Sequence, residues 1–103
     1  MSNDLDELVE VLEMIRQLVA DGRDVYDRDW RQRWALERGW IFAGNLAERI
    51  GRRDGPNDVW AELIAIRNVY AHYTPGTIDA SRVWFDAETD IERVLEQVRR
   101  AAR

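Results

Sequence analysis

Cysteine and lysine are both absent from this 103-residue chain, and there is a single histidine, His72. Without cysteine there are no disulfides and no thiolate metal sites, and a cytoplasmic location is expected. One histidine and no cysteine give no recognisable ligand cluster, so neither a metal nor a cofactor is expected. No apolar run approaches the roughly 18 to 20 residues that span a bilayer, which argues against a membrane role. Residues 1–13 carry five acids and no base, the reverse of a secretory leader. The two prolines, Pro56 and Pro75, mark places where a helix is expected to break.

What is present is a composition of 46% hydrophobic residues, enough for one domain over residues 1–103 with one modest core. The net charge is −5 and all fifteen basic residues are arginine. A negative chain repels nucleic acid at long range, so any RNA binding must rest on a local basic patch. Arginine offers flat, bidentate contacts to phosphate that lysine does not, but a bias in genomic base composition is the favoured explanation for the missing lysine. Arg49, Arg52 and Arg53 form one such gathering. It reads either as a solvated surface or as a guide for RNA.

Periodicity predicts four helices. Leu5, Leu8, Val9, Leu12, Ile15, Leu18 and Val19 recur at helical spacing over residues 4–20, with Asp4, Asp6 and Glu7 at the start. Gly22 supplies a stop, and Asp27 or Asp29 can cap a second helix reaching about Ile50. Its large apolar residues, Trp30, Trp34, Leu36, Trp40, Ile41, Phe42, Leu46 and Ile50, point in several directions. That helix is expected to be central or to lie partly in a subunit interface. Ala35, Gly39, Ala43 and Ala47, each four after the last, form a small-residue stripe that suits close helix packing. Gly51 to Asp58 reads as a polar loop. A third helix from about Asp58 precedes a turn at Pro75-Gly76, and Asp79 can cap a last helix to about Ala102. No strand-like alternation occurs. The expected fold is therefore all-α, an antiparallel four-helix bundle with short connections.

The chemistry concentrates in Arg67-Asn68-Val69-Tyr70-Ala71-His72-Tyr73. At about 100° per residue, Arg67 falls amid the stripe of Trp60, Leu63, Ile64 and Ala71. An unpaired buried guanidinium costs several kcal/mol, so Arg67 needs a carboxylate, a bound anion or a water-filled cleft beside it. Glu37 and Glu48 are candidate carboxylates. Asn68 and His72 share a face, whereas Arg67 and His72 lie about 140° apart on an ideal helix. A histidine at a helix C-terminus is also favourable simply through the dipole. Residue spacing alone leaves both readings open.

Arg67-Asn68-Val69-Tyr70-Ala71-His72, followed by Ile78-Asp79 and Val83-Trp84, resembles the C-terminal half of HepT-like HEPN proteins, over residues 57–100. The first half agrees in helical character rather than in motif. The resemblance implies a metal-independent endoribonuclease, the toxin of a HEPN/MNT toxin–antitoxin pair, with sites formed where two bundles meet in a homodimer. It implies that Arg67 and His72 are the catalytic pair, supported by Asn68. The partner it implies is a cognate MNT-domain nucleotidyltransferase antitoxin that adenylylates the toxin. The family's acceptor tyrosine stands two residues after the histidine; here that position is Thr74, and Tyr73 is the available acceptor. The rival reading is a HEPN-like bundle without catalysis, serving dimerisation, nucleotide binding or partner binding.

Overall fold

Asn3 starts the first helix by accepting the Asp6 backbone N–H on its side-chain oxygen at 2.8 Å, and Asp4, Asp6 and Glu7 follow at the positive end of the dipole. This helix, α1, runs Asp4–Ala20 and buries Leu8, Leu12 and Ile15. The computed structural model describes residues 3–72 and 79–102. Tyr73 and the expected turn at Pro75-Gly76 lie outside the described residues.

Gly22, at φ +102°, turns the chain into a short helix, α2 (Arg23–Arg28). The periodicity did not anticipate it, because six residues are too few to display a 3.6-residue repeat. Local bonds hold it: Arg23 Nε donates to Asp27 at 2.9 Å, and Arg28 Nε donates to the Asp24 carbonyl at 3.1 Å. Its one buried residue, Tyr26, packs on Trp84 with ring centroids 5.0 Å apart. The Tyr26 hydroxyl donates to the Ala80 carbonyl at 2.8 Å.

Asp29 caps α3 (Trp30–Asp54) by accepting the Arg31 N–H. This helix runs through Gly51 and on to Asp54, so half of the expected loop is helical. The stop is Gly55, at φ +97°, whose N–H donates to the Gly51 carbonyl at 2.9 Å. Only a residue tolerant of positive φ closes a helix this way, and Pro56 then prevents its resumption. Asn57 caps α4 (Asp58–Ala71), and Asp79 caps α5 (Ala80–Ala101), accepting from Ser81 and Arg82.

Cross-helix pairs give the direction of each long helix. Arg49 reaches Asp4 while Gly39 lies against Ile15, so α1 and α3 are antiparallel. Gly51 lies by Trp60 and Gly44 by Arg67, so α3 and α4 are antiparallel. Arg99 pairs with Glu13 and Arg16 with Glu92, which sets α5 against α1. The four long helices form an antiparallel bundle, with α2 laid against α3 as a fifth, unexpected element.

α3 is the centre, in contact with every other helix. Leu36, Trp40, Leu46 and Ile50 bury, whereas Trp30, Trp34 and Phe42 remain exposed. Val83, Trp84, Ile91, Val94, Leu95 and Val98 of α5 are all buried, with Ala87 between them. No described helix is long and apolar enough to cross a membrane.

Candidate functional site

Arg67 is held at the seam of α3 and α4, with its side chain 16% exposed. The seam is tight because Gly44 has no side chain: a Cβ there would stand 2.8 Å from the Leu63 carbonyl oxygen and 3.0 Å from Arg67 Cγ. That approach lets the guanidinium lie along α3. Its Nη1 donates to Glu48 Oε2 at 2.5 Å and to Asn45 Oδ1 at 3.2 Å. Its Nε and Nη2 both donate to Asn68 Oδ1, at 3.2 and 3.0 Å. Of the two candidate carboxylates, Glu48 is therefore the partner. Glu37 instead feels Arg33, and burial pushes its carboxyl up.

The Arg67 hydrogen bond and charge hold the Glu48 carboxyl below its ordinary range. The other Glu48 oxygen accepts from Arg52 Nη2 at 2.9 Å, so one carboxylate joins two guanidiniums. The gathering at Arg49, Arg52 and Arg53 is not a bare cationic patch. Arg49 pairs with Asp4 at 3.2 Å, Arg53 with Asp54 at 3.0 Å, and Arg52 with Glu48.

His72 occupies the C-cap of α4 at φ −85°, ψ −8° and is exposed. No hydrogen bond joins it to Arg67 or Asn68 among the described residues. The separation read from helix geometry is thus what the fold displays: Arg67 turned into the α3 seam, and the imidazole exposed five residues further on. Asn68 is brought onto Arg67 and orients it. Tyr73, the proposed adenylylation acceptor, lies outside the described residues. Tyr70 belongs to the core, where burial raises its hydroxyl above the ordinary tyrosine range.

Two residues of this arrangement escaped the sequence reading, Asn45 and Gly44. The stripe Ala35, Gly39, Ala43 and Ala47 drew attention to the neighbouring face, and Gly39 does sit 3.0 Å from Ile15 Cγ1 of α1 by the same measure. The only signal was a second glycine inside a helix, directly followed by a polar residue. Among the described residues no three His, Cys, Asp or Glu side chains gather in a way that would hold a metal ion. Compared with family models, curated proteins and solved structures, the chain matches none of them.

Proposed function

We propose that this chain is a metal-independent endoribonuclease of the HepT-like kind, the toxin of a HEPN/MNT pair, active as a homodimer and restrained by a cognate nucleotidyltransferase antitoxin. The observation that carries this reading is the division of labour on α4. Arg67 is a guanidinium fixed by acceptors on two helices, and His72 is an imidazole exposed at the end of the same helix, with no hydrogen-bond partner among the described residues. A fixed cation and an exposed imidazole suit the charge stabilisation and the proton abstraction of 2′-hydroxyl transesterification.

In that reaction His72 accepts the proton of a ribose 2′-hydroxyl, and the 2′-oxygen attacks the adjacent phosphorus. The bond from phosphorus to the 5′-oxygen breaks, leaving a 2′,3′-cyclic phosphate and a 5′-hydroxyl. The 5′-oxygen takes its proton from water or from the protonated imidazole of the second copy. Arg67 stabilises the charge that builds on the phosphoryl oxygens. DNA lacks the nucleophile and is resisted.

One observation favours the second reading, a non-catalytic HEPN-like module for dimerisation, nucleotide or partner binding. Arginine has five N–H donors, and four of them are engaged by Glu48, Asn45 and Asn68. A single Nη2 hydrogen remains for a phosphate unless substrate displaces Glu48 or Asn68.

The deciding experiment is cleavage of a broad RNA pool in excess EDTA by wild type and by His72→Ala, with the mass of each oligomer measured. Positioned acid–base catalysis contributes roughly 10²–10⁴ in rate, so the variant should be silent while wild type cuts. An inactive wild-type dimer favours the binding module. Cleavage by both proteins removes His72 from the reaction.

A further inference from the structure

Two guanidiniums share one carboxylate at the candidate site. Asn45, Glu48 and Arg52 stand three and four residues apart and so share a face of α3. Arg67 meets that face from α4, its Nη1 donating to Asn45 Oδ1 at 3.2 Å and to Glu48 Oε2 at 2.5 Å. Arg52 Nη2 donates to the other Glu48 oxygen at 2.9 Å. Among the described residues, Glu48 is the one acid paired with either cation. Arg49 is held instead by Asp4 and Arg53 by Asp54, so Arg52 alone of that gathering is tied to Arg67. Exposure rises outward through the cluster, from 16% at the Arg67 side chain to 36% at Glu48 and 75% at Arg52. Glu48 thus bridges a covered cation and an open one.

A carboxylate and a phosphodiester each present two oxygens and one negative charge, and both accept the paired N–H donors of a guanidinium. Without the Glu48 charge, two cations would converge with no counter-ion between them, the arrangement in which arginine clusters take phosphate. The Arg67 hydrogen bond keeps Glu48 ionised, so at neutral pH an anion and not a proton must open the contact. An ion pair this open to solvent is weak, so opening it costs little. Asn68 can stay where it is, on Nε and Nη2. Release of Glu48 frees one Nη1 hydrogen in addition to the unengaged Nη2 hydrogen, which gives Arg67 two donors for a phosphate.

We propose that Glu48 is an internal stand-in for the substrate phosphate: its carboxylate closes an anion site formed by Arg67 and Arg52, and a phosphodiester enters by taking its place. Arg52 is then the second phosphate-binding arginine, and Glu48 lowers affinity for any anion that does not bring contacts of its own. This gate rests on the ribonuclease reading for the identity of its substrate only, so its test measures anion binding and not cleavage.

Inorganic phosphate is titrated at neutral pH, against chloride at matched ionic strength, and followed through the arginine Nε–Hε resonances. Arg67→Lys and Arg52→Gln assign the two that matter. In Glu48→Gln both should move, with half-saturation at a phosphate concentration at least about tenfold below that of wild type, whose affinity is reduced by the fraction of sites that Glu48 closes. Adding Arg52→Gln should reverse most of the gain. Glu48→Asp should fall between, because its shorter stem weakens the bridge and keeps the charge. Equal affinity in wild type and in Glu48→Gln, confirmed folded by circular dichroism, overturns the gate, as does a gain that survives Arg52→Gln. Responses spread equally over Arg49 and Arg53 also overturn it and mark adventitious binding. If Glu48→Gln does not fold, Glu48→Asp decides, and an unchanged half-saturation there overturns the gate. A gain in Glu48→Gln beside a wild type that does not cut RNA leaves the gate standing and fails the ribonuclease reading. Cleavage by wild type with no gain in Glu48→Gln fails the gate alone.

Discussion

Gly44 and Arg67 define the closest approach in the molecule's candidate site: a methyl group on Gly44 would overlap Arg67 Cβ and fall 2.8 Å from the Leu63 carbonyl oxygen. The absence of one side chain on α3 positions the guanidinium on α4, and with it the bonds to Asn45, Glu48 and Asn68.

Gly44→Ala should therefore lower stability by about 1–3 kcal/mol, the cost of overpacking, despite the better helix propensity of alanine. Gly51→Ala is the control. Its nearest neighbour, Trp60 Cδ1, would stand 3.8 Å away, an ordinary contact, so stability should hold or rise by up to about 1 kcal/mol. Unfolding free energies of the two variants from urea titration should differ by at least about 1 kcal/mol; equal shifts would show that the seam relaxes freely.

On the ribonuclease reading, Arg67→Lys should cut cleavage on the order of 10²–10³-fold, as expected when an oriented charge donor is removed. Lysine brings one nitrogen on a flexible stem, which cannot meet Glu48, Asn45 and Asn68 together. Asn68→Ala should lower activity less and act through the freedom it gives Arg67, so Asn68→Asp, which keeps the acceptor oxygens, should recover part of it. A fully active Arg67→Lys protein would reduce Arg67 to charge balance at the seam.

Glu48 makes stability depend on acid. The Arg67 hydrogen bond holds its folded carboxyl below the ordinary glutamate range, so the unfolded chain binds that proton more readily. The contribution is complete above about pH 4.5 and disappears as pH falls through the depressed folded value. Glu48→Gln should flatten the acid limb of the urea midpoint plotted from pH 3 to 7. The solvent-open carboxylate makes this a modest effect, diminished further by salt. An unaltered acid limb would remove Glu48 as its source.

The alkaline limb should report Tyr26. Burial pushes its hydroxyl from 10.0 up to about 12, and that hydroxyl donates to the Ala80 carbonyl. The folded state holds the proton more tightly, so this stability is complete below pH 10 and is lost as pH rises toward 12. Tyr26→Phe should lose roughly 1 kcal/mol at neutral pH through the missing hydrogen bond and show a shallower decline above pH 10. A decline as steep as that of wild type would place its origin in Tyr70 or elsewhere.

Much of the bundle could be read from residue order because its causes are local. The caps Asp29 and Asp79, the break at Gly22 and the apolar stripe of α5 are properties of a few neighbouring residues, and the structure has them where spacing places them. The demand that Arg67 find a partner also followed from its position among Trp60 and Leu63. The end of α3 and the existence of α2 did not, because a glycine within a helix and a six-residue helix leave no distinct periodic trace.

What the sequence by itself determined is the helical class, the main helix starts and the placement of a cation and an imidazole on one helix. Which acid meets Arg67 was decided only by the tertiary structure. Glu37 and Glu48 are equivalent in composition, but the missing side chain at Gly44 brings α4 against the face of α3 that bears Asn45 and Glu48. The same packing buries Leu36, Trp40 and Ile50 and leaves Trp30, Trp34 and Phe42 in water. A helix has one inside and one outside only after its neighbours are in place, so an aromatic-rich α3 became a core and an exposed face through the contacts of α1, α4 and α5.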